Sequence, residues 1–221
     1  MLQFFSKYKF FGIVLLVVSA IIISIIYSVL KKDKKLPILN PNSFSEELVD
    51  PSIQFNKKYH TIANFELINQ NGDTITQNDY PDIYVADFFF TTCVTICPIM
   101  TEHMAQIQEV LKDEPRVKLL SHSVTPEIDS VAQLKKYALK KGVNDTKWNL
   151  VTGDRKQIYD LARKSYMVAK DLPEEQAYGM IHTENFVLVD AKKRIRGTYD
   201  GTNPDEISRL LKEIEILKKE Q

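Results

Sequence analysis

The sequence predicts an α/β domain with a central mixed β-sheet and helices on both faces, preceded by one N-terminal transmembrane helix. Residues 10–30 form an uncharged, apolar run of 21 residues. From about residue 60 to the C-terminus, strand-like and helix-like apolar patterns alternate along the chain. The 221 residues are 44% hydrophobic and 26% charged, which is the composition of a chain that buries a core.

The apolar run at 10–30 has the length of a membrane-spanning helix, because a rise of about 1.5 Å per residue carries it across a hydrocarbon core of about 30 Å. A cleaved signal peptide is the alternative. Its apolar region is shorter, at about 7–15 residues, and a small-residue cleavage site follows it, whereas the sequence KKDKK follows Leu30. We therefore expect a retained anchor. The lysines of KKDKK outnumber the two that precede the helix, and by the positive-inside rule this would place the C-terminal part in the cytoplasm.

Composition divides the chain into four regions. Residues 1–9 are a short N-terminal segment, and residues 10–30 are the anchor. Residues 31–58 are predicted to be a tether, because several prolines occur there among polar residues. Residues 59–221 are the predicted folded domain.

The elements of this domain follow one another as short strands and helices. Asn71-Gly72 marks a hairpin turn. The continuous run IYVADFFF at 83–90 is typical of a strand buried on both faces of a sheet. Gly142 is placed to end a helix that begins at Val131. The other predicted elements are a helix at 98–111, a strand at 117–124, a strand and turn at 148–153, a helix at 155–164, a strand–turn–strand unit at 185–201 and a closing amphipathic helix at 205–219.

The charge balance gives no sign of a nucleic-acid partner. Lys plus Arg and Asp plus Glu both number 29, so the formal net charge is zero. Without a basic excess, we expect no nucleic-acid binding.

The two cysteines, Cys93 and Cys97, are the strongest functional signal. Closing so short a loop would constrain the unfolded chain very little, so a stabilising disulfide is a poor explanation and redox or metal chemistry is favoured. The pair follows the buried strand, and Pro98 fits a first helical turn. Cys93 would then lie on the strand-to-helix turn and Cys97 at the helix N-terminus, an end that favours a thiolate over a thiol. This arrangement suits either a reversible disulfide or two thiolate ligands to one soft metal.

A third metal ligand is sought among the four histidines. His60 is expected at the surface of the domain edge, and His103 is expected to face solvent or a neighbouring loop. His122 lies at the end of a predicted strand, where a structural role is favoured. His182 lies in a loop directly before a strong strand, and such a loop can deliver a distal ligand to the cysteine turn.

The run DFFFTTCVTICPIM resembles the Cys-x-x-x-Cys-Pro motif of the Sco/SenC proteins, which are anchored copper chaperones. Three more segments follow in the family's order, namely SVTPEID, WNLVTG and IHTENFVLVDAKKRI, and the resemblance spans about residues 60–215. It departs from the family at Thr125, where an aspartate is usual, and at Ile181, where some members have an acid.

The resemblance implies a thioredoxin-like fold and a site for Cu(I) or Cu(II) made of Cys93, Cys97 and His182. It implies delivery of copper to the dinuclear copper centre of cytochrome c oxidase subunit II, or of a similar copper-dependent oxidase, or maintenance of that centre's thiols. A thiol reductant and membrane lipid would be further partners. The family works outside the cytoplasmic (inner) membrane, so we expect a single-pass protein with its domain on the periplasmic or extracytoplasmic side, against the lysine count.

Two interpretations stay open. Asp87 lies six residues before Cys93, the spacing at which thioredoxins place a buried acid, so it is either a proton relay or an ordinary paired strand residue. Met100 and Met104 are either soft copper ligands or core residues, and their helical spacing favours the core. We expect a copper chaperone rather than a turnover enzyme. The alternatives are a thiol-disulfide oxidoreductase without obligatory copper and, on fold alone, a peroxidase.

Overall fold

The computed structural model describes residues 9–30, 35–49, 53, 60–169, 181 and 183–220. The chain forms two compact units that meet in sequence between Lys35 and Leu36. The first unit contains helix α1 (Lys9–Leu30), whose stretch Lys9–Tyr27 is long and apolar enough to cross a membrane. This helix agrees in extent with the apolar run at 10–30.

The second unit contains a seven-stranded mixed sheet. Its strands in chain order are β1 (Glu66–Asn69), β2 (Thr74–Thr76), β3 (Ile83–Phe89), β4 (Val117–Ser123), β5 (Trp148–Thr152), β6 (Asn185–Val189) and β7 (Ile195–Asp200). They lie side by side in the order β2-β1-β5-β4-β3-β6-β7. The central strands β3, β4 and β5 are parallel, while β1 and β6 run antiparallel to their central neighbours. The predicted mixed sheet is therefore confirmed.

All seven residues of β3 are buried, as expected for an interior strand of a sheet that is covered on both faces. The hairpin between β1 and β2 turns at Gly72, whose φ of 87° is one that glycine adopts without strain. The parallel centre has a functional consequence, since the carboxyl ends of β3, β4 and β5 meet at one edge of the sheet. The loop with both cysteines leaves from that edge.

Four α-helices of this unit lie within the described residues. They are α2 (Cys97–Val110), α3 (Val131–Lys141), α4 (Arg155–Asp160) and α5 (Pro204–Glu220). Helix α3 begins at its cap Ser130 and ends at Gly142, which has a φ of 70°. The predicted helix at 155–164 differs in one respect, because α4 gives way to a π-helical turn over Leu161–Ser165.

The sheet separates two apolar cores. On one face, Val85 and Phe89 pack with residues of α2, α3 and α5, among them Met100 and Met104, which are buried as expected. On the other face, Tyr84 and Phe88 pack with the segment around α4 and with the chain near Val49. Both faces of the sheet are covered, as in an α/β layered domain.

The residues at 36–49, predicted to be part of a tether, pack on the sheet unit. The buried Arg196 donates to the carbonyls of Leu36 (2.7 Å) and Pro37 (2.9 Å) and pairs with Glu220 at 2.5 Å. Leu39 forms an isolated bridge with Ile195. The compact unit therefore begins at Leu36, and the physical reason is a buried guanidinium whose donors need these carbonyls.

Candidate functional site

The cysteine loop joins the end of β3 to the start of α2. The Cys93 amide donates to the carbonyl of Phe90 (3.3 Å), and Cys97 is the first residue of the helix, followed by Pro98. Cys97 is 3% exposed and packs in the core with Met100, whereas Cys93 is partly exposed. Both cysteines are free thiols. The Cys93 side chain is thus partly accessible to solvent, whereas the Cys97 side chain is buried in the core.

The two sulfurs are electrostatically unequal. Desolvation acts to raise the pKa of Cys93, but hydrogen bonds from the Cys97 thiol, the Thr95 hydroxyl and the backbone outweigh it and lower that pKa to about 7. The Cys97 amide donates to Cys93 Sγ (3.4 Å), and Thr95 Oγ1 lies 3.6 Å from the same sulfur. The Cys93 side chain is therefore the one that carries thiolate near neutral pH.

Cys97 behaves differently from the expectation based on its place at the helix N-terminus. Desolvation, the hydrogen bond that it donates to Cys93 and the charge of Asp87 raise its pKa to about 12. The helical N–H at this position points to the sulfur of Cys93, so the neighbour gains the stabilisation. The motif holds one thiolate and one thiol at neutral pH, joined by a hydrogen bond.

Asp87 lies buried in the strand that leads to the cysteines. Desolvation raises its pKa to about 7, against a hydrogen bond from Ser121 that lowers it. Ser121 faces Asp87 across the parallel β3–β4 pair and accepts from the indole N–H of Trp148 (2.8 Å). Within the described residues, Asp87 Oδ1 has no hydrogen-bond partner. The site therefore contains a buried carboxyl whose protonation changes near neutral pH.

The three histidines within the described residues have structural partners. His60 Nε2 lies 2.7 Å from the Ser165 carbonyl, and the side chain is buried, unlike the surface position expected for it. His103 Nδ1 lies 2.7 Å from the carbonyl of Gly201, in a neighbouring loop. His122 is fully buried and stacks on Phe88 with ring centroids 4.7 Å apart. Desolvation lowers the pKa of His122 to about 4, so its ring stays neutral.

His182, the predicted third ligand, lies outside the described residues. Its neighbours Ile181 and Thr183 are buried, at 6% and 5% exposure. In the described part of the chain, no group of three or more His, Cys, Asp or Glu side chains is arranged to hold a metal ion. The ligand set Cys93, Cys97 and His182 accordingly stays a prediction.

Asp129 and Thr91, which were not predicted to be site residues, lie next to the cysteine loop. The buried Asp129 carboxylate accepts from the amide (3.1 Å) and hydroxyl (2.5 Å) of Thr91. Asp129 is the last residue of the SVTPEID segment and Thr91 is the first residue of the TTC segment. The sequence shows both residues but not the contact between them. Two segments far apart in sequence meet here at the carboxyl edge of the sheet.

A family model described as SCO1/SenC matches residues 54–217, which is well over half of the chain. The chain belongs to the SCO1/SenC family. A SCO1 protein homolog of Bacillus subtilis (strain 168) is 34% identical over 165 residues, covering 72% of this chain and 85% of that protein.

Two solved structures show the same fold. BsSco, a member of the Sco family of cytochrome c oxidase assembly proteins in which a disulfide switch was identified, matches with a TM-score of 0.62 and 29% identity, covering 73% of this chain and 95% of that one. Bradyrhizobium japonicum ScoI with copper bound matches with a TM-score of 0.54 and 26% identity, over 69% and 98% of the two chains. The thioredoxin-like SCO1/SenC fold expected from the motifs is confirmed.

Proposed function

We propose that the chain is a membrane-anchored copper metallochaperone that binds copper through Cys93, Cys97 and His182. Its cargo goes to the dinuclear copper centre of cytochrome c oxidase subunit II. The observation that carries the proposal is the thiolate–thiol pair at the start of α2, in a family in which Bradyrhizobium japonicum ScoI has copper bound. Thiolate sulfur is the ligand type that Cu(I) prefers, and an imidazole extends the site to Cu(II).

The arrangement of the pair fits uptake and release of a cargo metal. Cys93 is partly exposed and carries thiolate near neutral pH, so it is the sulfur that meets incoming copper first. Cys97 lies beneath it and still holds its proton. A metal bound by both sulfurs has one ligand at the surface, where an acceptor's thiolates can replace it step by step.

Binding by both sulfurs requires Cys97 to lose its proton. We assign Asp87 as the acceptor of that proton, at Oδ1. This oxygen is buried without a hydrogen-bond partner in the described part of the chain, and its carboxylate charge acts on Cys97. With a pKa of about 7, Asp87 can both take up and release a proton near neutral pH.

A second candidate function is thiol-disulfide exchange on a client such as the oxidase's own cysteines. The hydrogen-bonded thiolate–thiol pair favours it, as does the disulfide switch of BsSco. The Cys93 thiolate would attack the client disulfide and release one client thiol. Cys97 would then attack the Cys93 sulfur, which releases the second client thiol and leaves a Cys93–Cys97 disulfide.

Replacing His182 separates the two candidates. In the full chain in detergent, we expect His182→Ala to weaken Cu(I) binding at least tenfold, as measured by competition with a chromophoric chelator, while the Cys93–Cys97 disulfide still forms. Unchanged copper affinity would refute the three-ligand site. Absence of stoichiometric copper uptake by the unaltered chain, together with a reducing disulfide potential, would favour the exchange function.

The anchor and its orientation are part of the same proposal. We propose that α1 spans the cytoplasmic (inner) membrane and that the sheet unit lies on the extracytoplasmic side, where copper-dependent oxidases receive metal. A membrane-impermeant maleimide added to intact cells should then label Cys93. Labelling only after permeabilisation would place the domain in the cytoplasm, as the lysines after α1 would favour.

A further inference from the structure

A buried carboxylate lies beside the cysteine loop and takes no part in the chemistry described above. Asp129 has no exposed surface. Its oxygens accept from the amide and hydroxyl of Thr91 (3.1 and 2.5 Å), from the Ser123 hydroxyl (2.6 Å) and from the Thr125 hydroxyl (3.1 Å). None of the ion pairs among the described residues includes Asp129.

Such a carboxylate is tolerated only when hydrogen bonds replace its lost hydration. Because the bonds to a charged acceptor are stronger than neutral ones, all four donors are held in one arrangement. The donors come from two segments. Ser123 is the last residue of β4 and Thr125 lies in the loop that follows, whereas Thr91 belongs to the segment after β3. Asp129 therefore ties the cysteine loop to the neighbouring strand.

Thr91, at the start of the cysteine loop, is held by three hydrogen bonds to neighbouring elements. Its amide and its hydroxyl both bind Asp129, and its hydroxyl also accepts from Gln133 Nε2 of α3 (3.0 Å). The residues Thr92, Val94 and Thr95 are exposed, so burial does not fix this part of the loop. Cys93 lies only two residues from Thr91.

We propose that Asp129 and Thr91 are positioning residues that fix the Cys93 sulfur relative to Cys97. The fixed spacing favours every reaction that needs the two sulfurs together. Disulfide formation is one of them: oxidised glutathione takes two electrons from the pair, which becomes a disulfide, and two reduced glutathione molecules are released. Binding of one copper ion by both sulfurs is the other, and only that part rests on the proposed function.

Thr91→Val tests the proposal, with Ser123→Ala as its matched control. Each variant removes a hydroxyl that donates to Asp129, and each also removes the acceptor of one other hydrogen bond, from Gln133 Nε2 and from the Thr125 amide respectively. Only Thr91 lies in the cysteine loop. Both variants should therefore lose similar stability in urea unfolding, but they should differ at the cysteines.

The readouts are the equilibrium constant of the Cys93–Cys97 disulfide against glutathione and the Cu(I) affinity, both in the full chain in detergent. We expect Thr91→Val to lower both about tenfold, the change expected from one hydrogen bond to a charged group. Ser123→Ala loosens Asp129 without altering the cysteine loop, so it should lower both by less than Thr91→Val does, and Thr91→Ser should restore them, because it keeps the hydroxyl.

Equal disulfide constants for Thr91→Val and Ser123→Ala would overturn the positioning role, since stability alone would then explain both variants. The disulfide constant needs no metal. If the unaltered chain took up no copper, the proposed function would fail while the positioning role was still decided by the disulfide constants.

Discussion

Replacing the buried acid Asp87 with asparagine should change the pH dependence of stability in a defined direction. The ordinary pKa of an aspartate is 3.8, and desolvation raises that of Asp87 to about 7. Between these two values the folded protein holds a proton that the unfolded chain has released. The free energy of unfolding that Asp87 contributes therefore falls as the pH rises through this window.

The size of the effect follows from the same two pKa values. One pKa unit corresponds to about 1.4 kcal/mol, so ionised Asp87 should destabilise the folded state by about 4 kcal/mol at pH 7 to 8. The amide side chain of the Asp87→Asn variant has no proton to release in this range. The stability of Asp87→Asn relative to the unaltered chain should thus rise by about 4 kcal/mol between pH 4 and pH 8.

His122 makes the difference between variants more informative than either curve alone. Desolvation lowers its pKa from 6.5 to about 4, so the unfolded chain binds a proton there that the folded chain does not. Its contribution to stability is lost as the pH falls from 6.5 to 4, which opposes the contribution of Asp87. Both proteins share His122, and subtraction removes it.

Urea unfolding followed by tryptophan fluorescence measures this difference in the full chain. Trp148 is the single tryptophan and is buried in the sheet unit beside Ser121, so the signal reports on that unit. Asp113→Asn, at an exposed position, is the control and should change stability by less than about 0.5 kcal/mol at each pH. If the free energies of unfolding of Asp87→Asn and the unaltered chain differed by the same amount at every pH from 4 to 8, the raised pKa of Asp87 would be refuted.

Two more predictions concern the cysteines and the buried ion pairs. In the copper-free chain, iodoacetamide should label Cys93 first, at a rate that rises with pH through about 7 as the thiolate forms. Mapping by mass spectrometry should find Cys97 unlabelled at that stage. Preferential labelling of Cys97 would reverse the assigned roles. Arg196→Ala should lower the free energy of unfolding by about 3 kcal/mol, because it removes a buried guanidinium from the half-buried Glu220 and leaves the buried Asp190 with Arg194 alone. Lys112→Ala, at an exposed pair, should cost less than about 1 kcal/mol, and equal losses in urea unfolding would contradict the role of burial.

Local patterns were sufficient to predict most of the fold. The continuous apolar run at 83–90 became the central strand β3, and Gly142 ended α3 as its position indicated. These features depend on a residue and its near neighbours. The π-helical turn after α4 was missed because the apolar pattern at 155–164 also fits a regular helix.

Contacts between distant segments explain what the sequence did not reveal. The packing of 36–49 depends on Arg196, and the burial of His60 depends on the carbonyl of Ser165, 105 residues away. Asp129 was visible only as the end of a motif, because its partner Thr91 lies 38 residues earlier. The thiolate was expected at Cys97 because the helix N-terminus was considered without the direction of its N–H groups.

The most direct test of the copper site is X-ray absorption at the copper edge on the full chain loaded with Cu(I) under reducing conditions. We predict one copper per chain, with two sulfur neighbours and one nitrogen neighbour, from Cys93, Cys97 and His182. Cys93→Ser and Cys97→Ser should each remove a sulfur from the spectrum. One copper per chain without sulfur neighbours would contradict the site. So would one copper per chain still bound when both Cys93→Ser and Cys97→Ser are present.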